Sequence, residues 1–550
     1  MKKTFTLLVA VILTLSVWLT GCSGGEKENP SSDNQLSSTP ENVNESGFPV
    51  VKEPVKLKMM GAKFPLQGPW DQMMFFKEME KMTGISFEFD TPDAKVYDEK
   101  KNLAFASNNL PDVFFGGNLS SFDQLNYGKQ GLLIPLEGLI DKYAPNLASL
   151  MEKDPSIKKA ITSPDGHIYA LPQITDITRD LMTQKAYLNY SFMEALGNPE
   201  APQTVDELFE LLKRFRDEDP NKNGIKDEVP MSFDTLKNDA LYNARVFLLP
   251  AFGENEDRFN NSAGSTTRLT VKDDTLYHTV LTDGYKEWVK FMKKANDEKL
   301  LDPEIFIQTT QQFKAKGADN RIGFSTMVAP FLVWKIEKPE DNAKYPLVLP
   351  LTSSISQEKV FAPKQSIIPG AFAITKHNKH PEATLRWVDY LYTPEGFILA
   401  NQGVENEAWE WKDAEKTSWV RIVPEGVPME EFRAKNTPDV GTILPMLKSR
   451  ELNYKQDNLI NSILNEHSEQ LSEFSKVGMP LLFLTEEEES RANILKNDLN
   501  NYIAQMEAKF ILGNESMDKW DDFTATLKKM NVDEFIGIYQ TAYDRYTASK

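Results

Sequence analysis

An α/β architecture built from parallel βαβ units is predicted by three observations. Short apolar runs of strand type alternate with helical segments of about 10–15 residues in the N-terminal part of the chain. A length of 550 residues, 40% hydrophobic and 26% charged, supports a large folded core and argues against wholesale disorder. Beyond about residue 52 the chain shows no short-period repeat and no low-complexity tract. Length alone favours roughly two to four domains.

The elements follow in order. Val55 to Met60 reads as a strand, and Asp71 to Met82 as a helix stopped by Gly84. Ile85 to Phe89 is a second strand. A helix from about Tyr97 to Asn108 ends before Leu110-Pro111, and Val113 to Phe115 is a third strand running into Gly116-Gly117. Ligands of open parallel sheets sit beyond the carboxyl ends of the strands, so the Gly116-Gly117-Asn118 loop is a candidate site. Further along, Thr204-Val205-Asp206-Glu207 has the form of a capping box. Val205, Leu208, Phe209, Leu212 and Phe215 then fall on one helical face. Trp288, Phe291, Met292 and Ala295 repeat that spacing, and Pro381 opens a helix carrying Leu385, Val388 and Leu391. These stripes, with Trp288 and Trp387, are expected in the core.

Charge and cysteine content exclude several functions. With 62 Lys and Arg against 81 Asp and Glu, a formal charge of −19 argues against general nucleic-acid binding. The single cysteine, Cys22, rules out an internal disulfide framework, a thiolate zinc site and a Cys–His nucleophile elsewhere. Lys2 and Lys3 precede an apolar stretch from Phe5 to Trp18, and Leu19-Thr20-Gly21-Cys22 follows at once. This ending resembles the bacterial lipobox, which implies a signal peptide over 1–21, cleavage before Cys22 and diacylation of its sulfur. The implied location is the outer face of a bacterial cell membrane, reached through the lipid anchor. Residues 22–52, rich in Ser, Asn, Glu, Gly and Pro, are expected to form a flexible tether carrying the lipidated cysteine.

The run from Asp219 to Glu228, Asp-Pro-Asn-Lys-Asn-Gly-Ile-Lys-Asp-Glu, places oxygen-bearing side chains at alternate positions 219, 221, 223 and 227. Calcium takes 6–8 oxygen ligands, Gly224 permits the sharp turn, and the Ile225 carbonyl supplies a further donor. Pro230 stands where an EF-hand carries its bidentate Glu, so Glu228 would have to close the shell. The candidate ligands of a structural Ca2+ are Asp219, Asn221, Asn223, Ile225, Asp227 and Glu228. A solvated Asp/Asn/Gly turn is the alternative.

Tyr187 to Gly197, Thr204 to Leu208 and Asp219 to Pro230 together resemble the central signature of extracellular solute-binding proteins of bacterial ABC importers. The branch they resemble is that of large lipoproteins for oligosaccharide and polysaccharide uptake, alginate-binding members included. Leu110-Pro111-Asp112-Val113, Gly131 to Leu136, Gly166 to Pro172 and His380-Pro381-Glu382-Ala383 agree in order and spacing. The resemblance implies a type II periplasmic-binding-protein fold, with two α/β lobes joined by crossovers around a cleft. Lobe one would take 53–173 and 370–403, and lobe two 174–369 and 404–550. It further implies no catalysis, a monomer, a permease as partner, and Ca2+ held away from the sugar. In the cleft, Trp334 sits where maltodextrin-binding relatives place a stacking tryptophan. Asn118 and Asp176 occupy a strand-end loop and the first crossover, Trp70 precedes a helix, and Trp409 and Trp411 follow the last crossover. Aromatic platforms ringed by amides and carboxylates suit sugars.

Other readings stay open at this level. An anchored glycan hydrolase needs two carboxylates about 5–9.5 Å apart, and no local motif marks a pair. No G-x-S-x-G and no H-E-x-x-H occurs, which weighs against serine and zinc hydrolases, although His377 and His380 lie close in sequence. A calcium-dependent adhesin fits the anchor and the loop but lacks the usual repeats. The charge of −19 disfavours acidic polysaccharides through its long-range field, yet Arg179, Arg245 or Lys364 could neutralise one locally. Peptide ligands are also compatible with the superfamily.

Overall fold

The computed structural model describes residues 40–235, 239–256, 258 and 267–548. Cys22, the signal segment 1–21 and the tether up to residue 39 lie outside the described residues. From Asn42 onwards the chain forms one compact unit.

The chain opens β1 (Val55–Met60), α1 (Met74–Thr83), β2 (Ile85–Asp90), α2 (Tyr97–Ser107), β3 (Val113–Phe115), α3 (Ser121–Lys129) and β4 (Leu171–Thr175). It then crosses over to β5 (Lys185–Leu188), α4 (Val205–Asp217), β6 (Val229–Met231), the hairpin β7 (Leu269–Lys272) and β8 (Thr275–His278), and α5 (Asp283–Asp297). β9 (Ile322–Met327) and β10 (Leu347–Val348) complete that stretch before the return to β11 (Ile367–Ile374), α6 (Pro381–Asp389) and α7 (Pro394–Gln402). A second hairpin, β12 (Trp409–Trp411) and β13 (Trp419–Arg421), leads through α8 (Met429–Asn436) to β14 (Leu447–Lys448). Four helices close the chain: α9 (Leu459–Ser472), α10 (Glu486–Ile511), α11 (Trp520–Lys529) and α12 (Val532–Ala548).

Two sheets define two lobes. The first has six strands in the order β14-β4-β11-β3-β1-β2, and the second four in the order β10-β5-β9-β6. β1 pairs in parallel with β2 from Val55–Ile85 to Met60–Asp90, and with β3 at Met59–Val113. β11 returns antiparallel between β3 and β4, as a strand arriving from the other lobe must. Local signals placed these elements. Gly84 ends α1 in the left-handed region at φ 77°, where a side chain would be strained. The Thr204–Glu207 capping box is formed at the start of α4, and Val205, Leu208, Phe209, Leu212 and Phe215 are all buried. Trp288 and Trp387 are fully buried in the cores of the second and first lobes.

Two boundaries differ from expectation. Residues 404–550 do not pass as a block to the second lobe. β14 pairs in parallel with β4 at Leu447–Ile174, and Trp409, Trp419 and Leu452 pack with Ile398 of α7. The Gln67 amide donates to the Pro438 carbonyl at 2.8 Å, which ties the same stretch to the loop after β1. Residues up to about 456 therefore belong with the first sheet, while Leu471, Met479 and the buried faces of α10–α12 join the second core. The tether also ends earlier than residue 52. Val43, Val50 and Val51 are buried in the first-lobe core, and Arg386 of α6 donates to the carbonyls of Asn44 and Gly47. Three valines within ten residues supply the apolar area that holds this segment down.

Candidate ligand-binding cleft

Both sheets end their parallel strands in loops that carry polar or exposed apolar groups. After β3 the chain turns through Gly116, φ 64°, where an added Cβ would collide with the Thr442 side chain. Asn118 follows at φ 45°, its side chain exposed and its carbonyl accepting from Lys101 Nζ at 3.1 Å. Lys101 also pairs with Asp123 at 3.2 Å, which fixes the loop from behind. Asn118 is thus presented at a strand end. Asp176 is engaged differently: its carboxylate accepts the backbone N–H of Arg450 at 2.5 Å. It fastens the third crossover to the first.

The three tryptophans expected at the sugar are core residues. Trp70 is 1% exposed, stacks on Phe76 and donates its indole N–H to Gln67 Oε1 at 3.3 Å. Trp334 is 2% exposed, stacks on Tyr345 with centroids 4.9 Å apart and donates to the Ile322 carbonyl at 2.8 Å. Trp409 is also buried, donating to the Gly403 carbonyl at 3.0 Å with its ring edge-on to Trp419. A ring with packed faces and a satisfied N–H has no surface left for a sugar. The half-exposed aromatic near Trp334 is Phe331, 43% exposed on the single turn Pro330–Leu332 that follows β9. The sequence signal was available: Ala329-Pro330-Phe331 stands nearer the strand end than Trp334 does.

A polar cavity of about 460 Å³ lies at the crossovers. Gln173 of β4, Asn401 and Gln402 of α7, Asn453, Gln456 and, from α9, Asn461 contribute amides, and Phe397 also lines the space. Arg179, Arg421, Arg433 and Lys448 contribute cations, against the carboxylates of Asp180 and Asp439. Arg421 and Arg433 share Glu430, at 3.0 and 2.7 Å. Lys448 reaches Asp180 and Asp439 only at 3.9 Å, and the buried Arg179 Nη1 has no hydrogen-bond partner. Neutral hydroxyls in this volume would meet both donors and acceptors.

A second cavity, of about 480 Å³, opens at the carboxyl end of β6 between Thr235, Phe306, Ile307, Gln308 and Asn501 of α10. Behind it Arg245, the residue expected to neutralise an acidic ligand, is committed to Asp239 and, at 2.8 Å, to Glu256. Arg268 pairs with Glu507 of α10 at 2.9 Å, and Tyr285 donates to the same carboxylate. Every member of this network is buried, so its work is to fix α10 to α5 and the β7–β8 hairpin.

The Asp219–Glu228 loop closes on itself. Asn221 and Asn223 accept the backbone N–H groups of Asn223 and Ile225 at 3.1 and 2.7 Å, while their amide nitrogens reach Asp227. Asp219 Oδ1 and Glu228 Oε1 are buried with no donor. Burial first, then the charges of Asp219 and Asp227, raise the Glu228 carboxyl above its usual range. Two buried carboxylate oxygens without donors fit a cation. Among the described residues no group of three or more His, Cys, Asp or Glu is arranged to hold a metal ion.

Comparison with known proteins agrees with this architecture. The fructooligosaccharide ABC transporter substrate-binding protein FusA of Streptococcus pneumoniae is 29% identical over 100% of this chain and 99% of its own length. The structure of FusA in complex with kestose matches 90% of this chain and 100% of that one at 27% identity, with a TM-score of 0.69. The FusA EF-hand mutant in complex with fructo-nystose matches equally well. The polygalacturonan/rhamnogalacturonan-binding protein YtcQ of Bacillus subtilis is 22% identical over 80% of this chain and 82% of its own. Residues 64–396 match the family described as bacterial extracellular solute-binding protein, and this chain, a binding protein and not an enzyme, belongs to that family.

Proposed function

We propose that this chain captures an oligosaccharide between its two lobes and delivers it to the permease of an ABC importer. The observation that carries the reading is the amide- and guanidinium-lined cavity at the crossovers, sized for a few sugar rings and built from both sides of the hinge. FusA, similar over its whole length, is a fructooligosaccharide-binding protein of such an importer, which supports the ligand class. The lobes are 42–176 with 367–456, and 177–366 with 457–548; rotation about the crossovers would close them on ligand. Asn118 and Phe331 serve as contacts at the strand ends, and Cys22 anchors the chain by lipid at the outer membrane face. Calcium at Asp219, Asn221, Asn223, Ile225, Asp227 and Glu228 stiffens the second lobe, a role consistent with the EF-hand of FusA.

The test is calorimetric titration of the full chain against neutral and acidic oligosaccharides, with the glycan recovered and sized afterwards. Binding of one glycan class, recovered intact, is the expected result. Failure of every saccharide to bind would overturn the proposal.

A further inference from the structure

The crossover cavity is rich in cations although the chain as a whole is acidic. The cavity beside β6 is lined by Asp239 and Glu507 and by no cation. At the crossovers, four cations line the space with two carboxylates, and more positive charge stands immediately behind. Lys364 and Lys185 have no carboxylate within ion-pair distance among the described residues; Lys185 is held by the Met182 carbonyl at 2.5 Å. Arg258 is likewise satisfied by neutral acceptors, the Ala362 carbonyl at 2.6 Å and Thr183 Oγ1 at 2.7 Å. Burial first, then the neighbouring Arg179 and Arg258, push the Lys185 amine down to about 7. The Lys364 amine is lowered too, by burial and then by Arg258 and Lys448.

Such an arrangement is costly unless something negative completes it. Like charges gathered at low solvent exposure repel strongly, and a buried N–H of a guanidinium left without an acceptor forfeits a charge-assisted bond. Arg179 Nη1 is that donor; its Nη2 reaches Asn453 Oδ1 at 3.4 Å, and its Nε stands 3.8 Å from Asp180, a carboxylate it shares loosely with Lys448. Lys448 lies on the same cavity wall with its carboxylates at 3.9 Å, beyond hydrogen-bond distance. Planar guanidinium beside ammonium suits a carboxylate, which accepts two donors side by side. The surrounding amides of Asn401, Gln402 and Gln456 suit sugar hydroxyls rather than a small free anion.

Resting on the saccharide-capture reading above, we infer that the preferred ligand carries a carboxylate, that is, a uronic-acid-containing oligosaccharide. Its carboxylate would sit between Arg179 and Lys448. The long-range field of a −19 chain does not oppose this, because charges more than about 8 Å apart are largely screened at physiological salt.

The experiment compares trigalacturonate, its methyl ester and kestose by calorimetry on the full chain, at two salt concentrations. The expected result is that the acid binds at least about tenfold tighter than its uncharged ester, with an advantage that shrinks at high salt. Arg179→Gln and Lys448→Gln should each erase most of that advantage, weakening the acid by a larger factor than they weaken the ester. Lys81→Gln, a 77% exposed lysine with the same charge change, should leave it intact. Unliganded melting temperatures show that the variants fold; if Arg179→Gln does not, Lys448→Gln carries the test. Equal affinity for acid and ester, or binding of kestose with rejection of the acid, would overturn the inference and leave saccharide capture standing. Failure of all three sugars would overturn both.

Discussion

Replacing Trp334 and Phe331 in turn separates a core ring from a contact ring. Trp334 is buried among Tyr187, Phe313, Ile322 and Val333 and stacks on Tyr345. Truncating a buried Trp to Ala costs about 3–5 kcal/mol in lost transfer energy and residual cavity. The hydrogen-bond part of this is small here. The Ile322 carbonyl that accepts the indole N–H also accepts Asn189 Nδ2 at 2.9 Å, so it is not orphaned when the indole is removed. We therefore expect Trp334→Ala to lose about 3–4 kcal/mol, and Trp334→Phe, which keeps a ring against Tyr345, about 1–2 kcal/mol. Phe331 is 43% exposed, so Phe331→Ala should cost less than about 1 kcal/mol of stability. If Phe331 is a stacking contact, its loss weakens saccharide binding by tenfold or more, roughly 1.4 kcal/mol or above. Urea unfolding followed by circular dichroism gives the first quantity and calorimetric titration the second. A Trp334→Ala protein of normal stability but without binding would refute the reasoning. So would a Phe331→Ala protein that binds as the parent does.

Four further outcomes follow from the same geometry. Chelation should lower the melting temperature and added calcium restore it, by about 2.7 kcal/mol at one hundred times Kd; Asp219→Ala and Glu228→Gln should abolish the response. Glu507→Gln leaves Arg268 with Asp239 at 3.3 Å as its remaining carboxylate, and should cost about 3–5 kcal/mol in urea unfolding. Burial raises the Glu254 carboxyl to about 7, against hydrogen bonds from Thr282 and Tyr277. The folded state then holds this proton more tightly than the unfolded chain, so stability falls as pH rises from about 4.5 to 7 and levels above. Glu254→Gln should therefore gain on the order of 2 kcal/mol over the parent at pH 8, after allowance for screening, and nothing near pH 4. Finally, Cys22→Ser should release the chain from cells into the medium, read by fractionation and immunoblot.

Much of both lobes was legible because the signals are local. Gly84 terminates α1, the Thr204–Glu207 box opens α4, and the apolar stripe of α4 faces the core, each decided within one or two helical turns. The assignment of 404–456 was not legible for the opposite reason. β14 is two residues long, and its partner Ile174 lies far away in sequence, so no periodicity announces the pairing. The tryptophans failed on a third ground. Residue type shows that a ring can stack on a sugar, but burial decides whether it does, and Trp70, Trp334 and Trp409 are each spent on their own cores. Phe331, less conspicuous in sequence, is the ring left outside.

Charge gives the sharpest contrast between what a sequence sums and what a fold arranges. A total of −19 reads as aversion to acidic ligands, but at physiological salt that field is largely screened beyond about 8 Å. The fold also pairs carboxylates with cations elsewhere, as in the buried Arg245–Asp239 and Arg268–Glu507 network, and over the surface helices. At the crossovers Arg179 and Lys448 share Asp180 only at 3.8 and 3.9 Å, Arg179 Nη1 has no acceptor, and Lys364 has no carboxylate within ion-pair distance among the described residues. Interactions inside a partly desolvated cavity are stronger per charge than those across solvent, so a few loosely paired cations there outweigh many screened carboxylates on the surface. The sign of the field a ligand meets is set by this local remainder. A hinge is also where such a remainder has most effect, because a ligand that neutralises cations contributed by both lobes favours the closed form over the open one by the same interaction.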